Sequence, residues 1–317
     1  MDTITDARFI SRFIGERLMA RGVLRSPPRL QRYSQGAEDA DSKLVFLGTG
    51  REALVVTVSP TLFPEIVAQE CQQAARMRSL LGALGAPILE PLDTGRVLTA
   101  TYAVLPYRGP LARSRGLRWL DRRRVLRHVL GWLLQVARLH GAACEAARYD
   151  VALRALADAV PTDSPTGALA VAAAAHLASG RFAPRSLPMH GDLWTGNVLH
   201  GKAPARFTLV DWRGSALQGF PVFDLIRAAQ SFGLSAAALS RQLQLHRAAL
   251  GCQAQDLPVY LLGALGHYAS RLGEMQPSLF RAMADDCVRL LCGTWTSNPL
   301  TSASACASAA PQPREYS

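Results

Sequence analysis

HGDLWTGNVLHGKAPARFTLVDW, residues 190–212, carries two short apolar runs, Val198-Leu199 and Phe207-Thr208-Leu209-Val210, on either side of a Gly/Lys/Ala/Pro-containing segment. Such runs around a turn-forming stretch read as a β-hairpin with a longer loop. If the hairpin forms, Asn197 enters its first strand and Asp211 leaves its second, so both stand at its open end. Asp192 lies five residues ahead of Asn197, on the incoming loop. Two carboxylates and one amide then converge in a small volume.

That set suits phosphoryl transfer. Asp211 and Asn197 offer hard oxygen donors to Mg²⁺, which typically takes one or two protein ligands and leaves the rest to phosphates and water. Asp192 can accept the proton of an attacking hydroxyl or orient it, as the catalytic-loop Asp of kinases does. Asp and Asn also cap turns for local reasons. Here, however, six fixed residues (His190, Gly191, Asp192, Asn197, Asp211, Trp212) agree in type and spacing with one mechanism. HGDxxxxN followed by a strand ending in Asp-Trp resembles the group of aminoglycoside phosphotransferases, choline kinases and fructosamine kinases, and the HGDLW wording is most similar to the fructosamine kinases. The resemblance implies an α+β, two-lobed protein-kinase-like fold, with a small β-rich N-terminal lobe, a larger helical C-terminal lobe and an ATP cleft. It extends over most of the chain, and the hairpin is its specific part.

Composition sets the outer limits. A chain of 317 residues is long for one core and comfortable for two lobes. Hydrophobic residues at 49% and charged ones at 19% indicate a globular protein. The formal charge of +11 is carried almost wholly by arginine, since Lys43 and Lys202 are the only lysines. This balance favours anionic partners such as nucleotide, phosphate or a membrane surface, and disfavours a polycationic acceptor. Six cysteines show neither CxxC nor zinc spacing, which fits reduced thiols and a cytoplasmic location. No apolar run reaches spanning length, and the N-terminus lacks a signal-peptide core.

Residues 1–106 are expected to form the nucleotide-binding lobe. Thr5 to Ala20 reads as an amphipathic helix, with Phe9, Ile10, Phe13, Ile14 and Leu18 on one face. Docking on the small lobe is its expected role, and a basic membrane anchor the alternative. Strands follow at Leu30–Tyr33, Lys43–Leu47 and Leu54–Val58, then a helix over Glu65–Leu81. Last come strands at Ile88-Leu89 and Thr99–Leu105. By resemblance, the loop opening Ser34-Gln35-Gly36 covers the phosphates, and Leu105-Pro106-Tyr107 is the hinge whose backbone meets the adenine. The family pattern puts a phosphate-binding lysine where Thr57 stands, and Glu70 matches that lysine's usual partner. Lys43 shares a strand face with Val45. By resemblance to the with-no-lysine kinases, that face looks onto the nucleotide, which makes Lys43 the expected phosphate contact and partner of Glu70; a solvated strand lysine is the plain alternative.

Residues 107–296 are expected to form the helical lobe with the catalytic loop and metal site. Arg108 to Arg127 holds eight arginines and one acid, Asp121. It reads either as a solvated helix face or as a binder of phosphorylated, carboxylated or lipid anions. A long helix from about Asp121 to His140 should bury Val125, Val129, Leu133, Val136 and Leu139. Pro161 to Gly167 is a breaker between two helical pieces. Asp224, in a Gly-x-Pro-x-x-Asp-Leu run, by resemblance accepts backbone hydrogen bonds from the catalytic loop. Glu274, Asp285 and Asp286 are candidates to line the acceptor site. Residues 297–317, rich in Ser, Ala and Pro, read as a disordered tail.

The expected function is transfer of the γ-phosphoryl group of Mg-ATP to a hydroxyl or amine of a small molecule. Asp192 would be base, Asn197 and Asp211 metal ligands, and Lys43, Glu70, Leu105 and Tyr107 the nucleotide contacts. Two other classes stay open. A pseudokinase would account for Thr57, and a membrane-surface kinase of a lipid or envelope sugar would account for the charge. Nucleic acid is not an expected partner, because the basic segment has only Trp119 as a stacking aromatic.

Overall fold

The computed structural model describes residues 7–34, 43–48, 53–111, 115–203, 205–270 and 276–294. The phosphate-covering loop after Ser34, the side chain of Lys43, Glu274 and residues 297–317 lie outside the described residues. The chain forms two compact units, residues 1–112 with 196–214, and residues 113–195 with 215–317. The sequence reading had kept the 196–214 hairpin with the second of these.

The first unit is built on a five-stranded antiparallel sheet in the order β1-β2-β3-β5-β4. Its strands are β1 (Arg29–Ser34), β2 (Lys43–Gly48), β3 (Ala53–Val58), β4 (Asp93–Val97) and β5 (Ala100–Pro106). Along β3 burial alternates strictly, as a strand with one covered face requires. The cover is α1 (Ala7–Ala20): Ile10, Ile14 and Leu18 are fully buried against Val45, Leu47, Leu54, Val56, Val58 and Tyr102. Its apolar stripe is therefore spent on the sheet. A buried carboxylate fixes the helix end, since Asp93 takes Arg17 Nε at 2.7 Å, Tyr102 Oη at 2.8 Å and Arg21 Nη1. Burial alone would raise the Asp93 pKa, but the bonds from Arg17 and Tyr102 and the two arginine charges hold it below the ordinary value.

Strand β4 corrects the reading of Ile88-Leu89 as a sheet strand. Asp93-Thr94-Gly95-Arg96-Val97 lacks an apolar alternation, yet pairs with β5 through a two-residue turn at Leu98-Thr99, Leu98 having φ 55°. Ile88 makes instead a parallel bridge to Leu209. That bridge helps tie in the hairpin of β8 (Val198–His200) and β9 (Phe207–Leu209). Leu209 N–H donates to Pro87 O at 3.0 Å and His200 N–H to Gly109 O at 2.9 Å. These backbone bonds are why the hairpin belongs to the first unit.

The second unit is helical around a small sheet, β10-β7-β6, with β6 Ala142–Ala143, β7 Arg185–Met189 and β10 Ala216–Gly219. Its helices are α3 (Arg115–His140), α4 (Ala147–Ala159), α5 (Pro165–Ala178), α6 (Phe223–Phe232), α7 (Ala236–Leu250), α8 (Asp256–Ala269) and α9 (Pro277–Gly293). Ser164 caps α5, accepting Gly167 N–H at 3.0 Å, with Pro165 as the first helical residue. Helix α8 is apolar almost all round and buried. A Cβ on Gly266 would lie 1.8 Å from Ala152 O, so α4 and α8 meet backbone to backbone. Helix α3 starts earlier than read and buries Val125, Val129, Leu133 and Val136 as expected. Leu139 departs from the stripe and is 70% exposed in the last turn. Among the described residues no helix is long and apolar enough to cross a membrane.

Candidate active site

In the first unit the hairpin register brings Asn197 and Asp211 together. Val198 pairs with Leu209, and Val210 N–H donates to Asn197 O at 3.1 Å, so Asp211 leaves the hairpin beside Asn197. Asn197 is buried and Asp211 half exposed. Asp211 adopts a left-handed backbone, φ 64°, a conformation Asp tolerates better than most residues and one found at functional sites. Arg213 Nε stands 3.4 Å from Asp211 Oδ1. The next residue reaches α2 (Ile66–Leu81): Trp212 N–H donates to Glu70 Oε1 at 3.2 Å. Burial first, and then the Asp211 charge, push the Glu70 carboxyl up to about 7.

Among the described residues no trio of His, Cys, Asp or Glu is placed to hold a metal unaided. Asp211 and Asn197 nonetheless fit Mg²⁺, a cation that prefers oxygen donors and commonly keeps only one or two from the protein.

Along the backbone Lys43 pairs with Val58 and Val45 with Val56, and Val45, Val56 and Val58 are buried against α1. Thr57, where the family lysine is expected, pairs with Leu44 and belongs to the other face. Glu70, the residue read as the partner of Lys43, receives Trp212 N–H. At the hinge, Leu105 pairs with Val55, and Tyr107 N–H donates to Ala53 O at 2.9 Å. Tyr107 O accepts from Arg108 Nη1, and its ring stands edge-on to Phe46. The Tyr107 N–H is therefore engaged within the protein.

In the second unit the His190–Asp192 loop is pinned from α6. Asp224 accepts His190 N–H at 2.6 Å on one oxygen and Gly191 N–H at 2.9 Å on the other, as the resemblance implied. Burial pushes the Asp224 carboxyl above the ordinary range, against the pull of the His190 charge and these two N–H groups. The turn into α6 is strained, since Val222 sits at φ 75°. His190 is buried, and its Nδ1 accepts Asp192 N–H at 3.3 Å, which makes it a positioner. Tyr268 Oη donates to Gly191 O.

Arg227 was not read from the sequence. It stands one helical turn after Asp224, at the i+3 spacing that puts two side chains on one face, and that spacing was the available signal. Its Nη2 lies 3.4 Å from Asp192 Oδ1, and its Nη1 donates to Gln230 Oε1 at 3.2 Å. Thr195, close after Asp192, is held by Ser231 Oγ at 2.7 Å and by Arg122 Nη2 at 3.4 Å. Of the proposed acceptor acids, Asp285 accepts from Thr166 at 2.5 Å, and Asp286 is tied to Gln230 and Arg289. Arg123, Arg124 and Arg127 are solvated on α3.

The fold is shared with solved structures. A putative fructosamine-3-kinase from Haemophilus somnus 129PT is 9% identical with a TM-score of 0.54, over 90% of this chain and 99% of that one. A thermostable mutant of an aminoglycoside phosphotransferase, in ternary complex with ADP and hygromycin B, is 15% identical with a TM-score of 0.54, over 91% and 99%. A choline kinase from Streptococcus pneumoniae is 12% identical with a TM-score of 0.51, over 88% and 98%. No curated protein matches the sequence. Identities this low speak for the fold alone. The profile of the phosphotransferase enzyme family, by contrast, matches residues 32–260, which begin within β1 and take in the HGD loop, the hairpin and Asp224. By that match over most of its length, the chain belongs to the phosphotransferase enzyme family.

Proposed function

We propose that this small-molecule kinase transfers the γ-phosphoryl group of Mg-ATP to a hydroxyl, or an amine, of a small acceptor. The observation that carries the reading is the hairpin register, which sets Asn197, five residues after Asp192 in the sequence, beside Asp211. Asp192 takes the hydroxyl proton as the acceptor oxygen bonds to phosphorus and the bond from the γ-phosphorus to the bridging oxygen breaks. ADP leaves, and Asp192 returns its proton to water. Asn197 and Asp211 would hold Mg²⁺, which when bound neutralises charge on the phosphates. Arg227 and Arg122 near the base favour a neutral or anionic acceptor over a polycation.

The test pairs thermal unfolding with ADP release over a panel of alcohols, sugars and amino sugars. Mg-ATP at about a hundred times its dissociation constant should add roughly 2.7 kcal/mol to wild type. Asp192→Ala should keep that stabilisation and lose turnover, whereas Asp211→Ala should lose both. Turnover retained in Asp211→Ala would sink the metal assignment. With Lys43 as the phosphate contact, Lys43→Ala should shrink the Mg-ATP shift; an unchanged shift would remove Lys43 from that role.

Thr57 favours one second reading, a pseudokinase, because β3 brings no lysine to Glu70. It requires a nucleotide shift without turnover on any acceptor, or no shift at all.

A further inference from the structure

A cavity of about 930 Å³ lies wholly within the first unit, walled by α2, by the β4–β5 edge and by Leu209, Val210 and Trp212. It shares Glu70 and Leu105 with the nucleotide contacts read from the sequence and extends from them along α2 and β4. No residue of β1, β2 or β3 lines it, whereas the phosphate-covering loop joins β1 to β2. Its volume falls in the range of small-molecule sites, about 300–1,000 Å³. Leu89, Leu105, Leu209 and Trp212 give it apolar walls, which offer water few partners.

The charge of the lining is the second observation. The protein as a whole carries +11, but the cavity has three carboxylates, Glu65, Glu70 and Glu90, against two guanidiniums, Arg78 and Arg96. Arg96 pairs with Glu65, and Arg78 with Glu90 at 2.6 Å. Among the described lining residues Glu70 is the carboxylate without a guanidinium paired to it, its bond being from Trp212 N–H, and Thr57 stands where the family pattern expects a lysine. A carboxylate in an apolar surrounding calls for a cation or a strong donor.

We propose that this cavity binds a small apolar molecule carrying one amine, its ammonium on Glu70 and its body against Leu89, Leu105 and Leu209. The same Glu70 receives Trp212 N–H beside Asp211, so an occupant would bias the metal-side loop and act as an effector. That last link rests on the proposed function; the binding does not.

The experiment measures thermal unfolding of the full chain with phenylbutylamine and with its uncharged counterpart phenylbutanol. Wild type should be stabilised saturably by the amine, with the alcohol about tenfold weaker, as expected for losing a hydrogen bond to a charged group. Glu70→Gln should bind the two alike. Ala75→Trp, a filling substitution at an exposed lining position, should abolish the amine shift while keeping that of Mg-ATP. Thr94→Phe fills the opposite wall and serves if the first variant does not fold. Equal binding of amine and alcohol to wild type overturns the proposal. So does an amine shift that survives both fillings, or one that disappears in Asp192→Ala, which would mark the amine as an acceptor. A wild type that ignores Mg-ATP but responds to the amine would fail the kinase reading and leave the cavity standing.

Discussion

Arg227 is the residue whose removal separates holding Asp192 in place from the role proposed for Asp192 itself. Its guanidinium joins Asp192 to Gln230, and Gln230 to Asp286 on α9, so the Asp192 carboxylate is oriented by side chains rooted in two helices. Arg227→Met keeps the stem and removes the donors. On the proposed mechanism kcat should fall about 10- to 100-fold, the scale expected for misplacing a reacting group by about 1 Å. The nucleotide KM should stay unchanged and Arg227→Lys should recover part of the loss. An equal fall in stability and in activity, with no recovery by lysine, would make Arg227 merely structural. Asp224 acts one turn earlier by a different means, accepting one backbone N–H on each of its two oxygens, an arrangement an isosteric amide would break by turning its NH₂ toward one of the donors.

At the scale of the element, α1 depends on a charge that pH controls. Asp93 has a lowered pKa in the folded state, so its contribution is complete above about pH 4, the ordinary carboxylate value, and fades as pH falls through the lower folded value. Asp93→Asn should therefore have a lower Tm than wild type at neutral pH, with the gap closing as pH falls below about 4. A gap that stays constant over that range would assign the loss to shape alone. The helix itself was legible, because Ile10, Ile14 and Leu18 repeat at helical spacing. The hairpin was legible for a similar reason, its two apolar runs flanking a turn segment. Strand β4 was not, since Asp93-Thr94-Gly95-Arg96 owes its strand state to pairing with β5 rather than to its own pattern. Which face of β2 is covered was not legible either. Alternation says that Lys43 and Val45 share a side, but only the position of α1 says which side is covered.

For the whole molecule the question is where +11 acts. The apolar stripe of α1 is buried on the sheet, so association with neutral vesicles should be absent. Association with anionic vesicles, through solvated residues such as Arg123, Arg124 and Arg127, should weaken steadily as salt rises from about 0.01 to 1 M and the Debye length shortens from about 30 to 3 Å. Sedimentation that survives 1 M salt would mean that α1 leaves the sheet and inserts. The two units also set an order of events at the ribosome. Residues 113–195 separate the sheet from the hairpin that completes the same unit. At about 5–20 residues per second, a nascent sheet waits roughly 4 to 17 s for its hairpin to be synthesised. Through that interval the carbonyls of Pro87 and Gly109 are served by water, and Glu70 has no Trp212 beside it. The newborn first unit is a sheet without Asn197 and Asp211, and it gains them only when a segment made much later folds back into it.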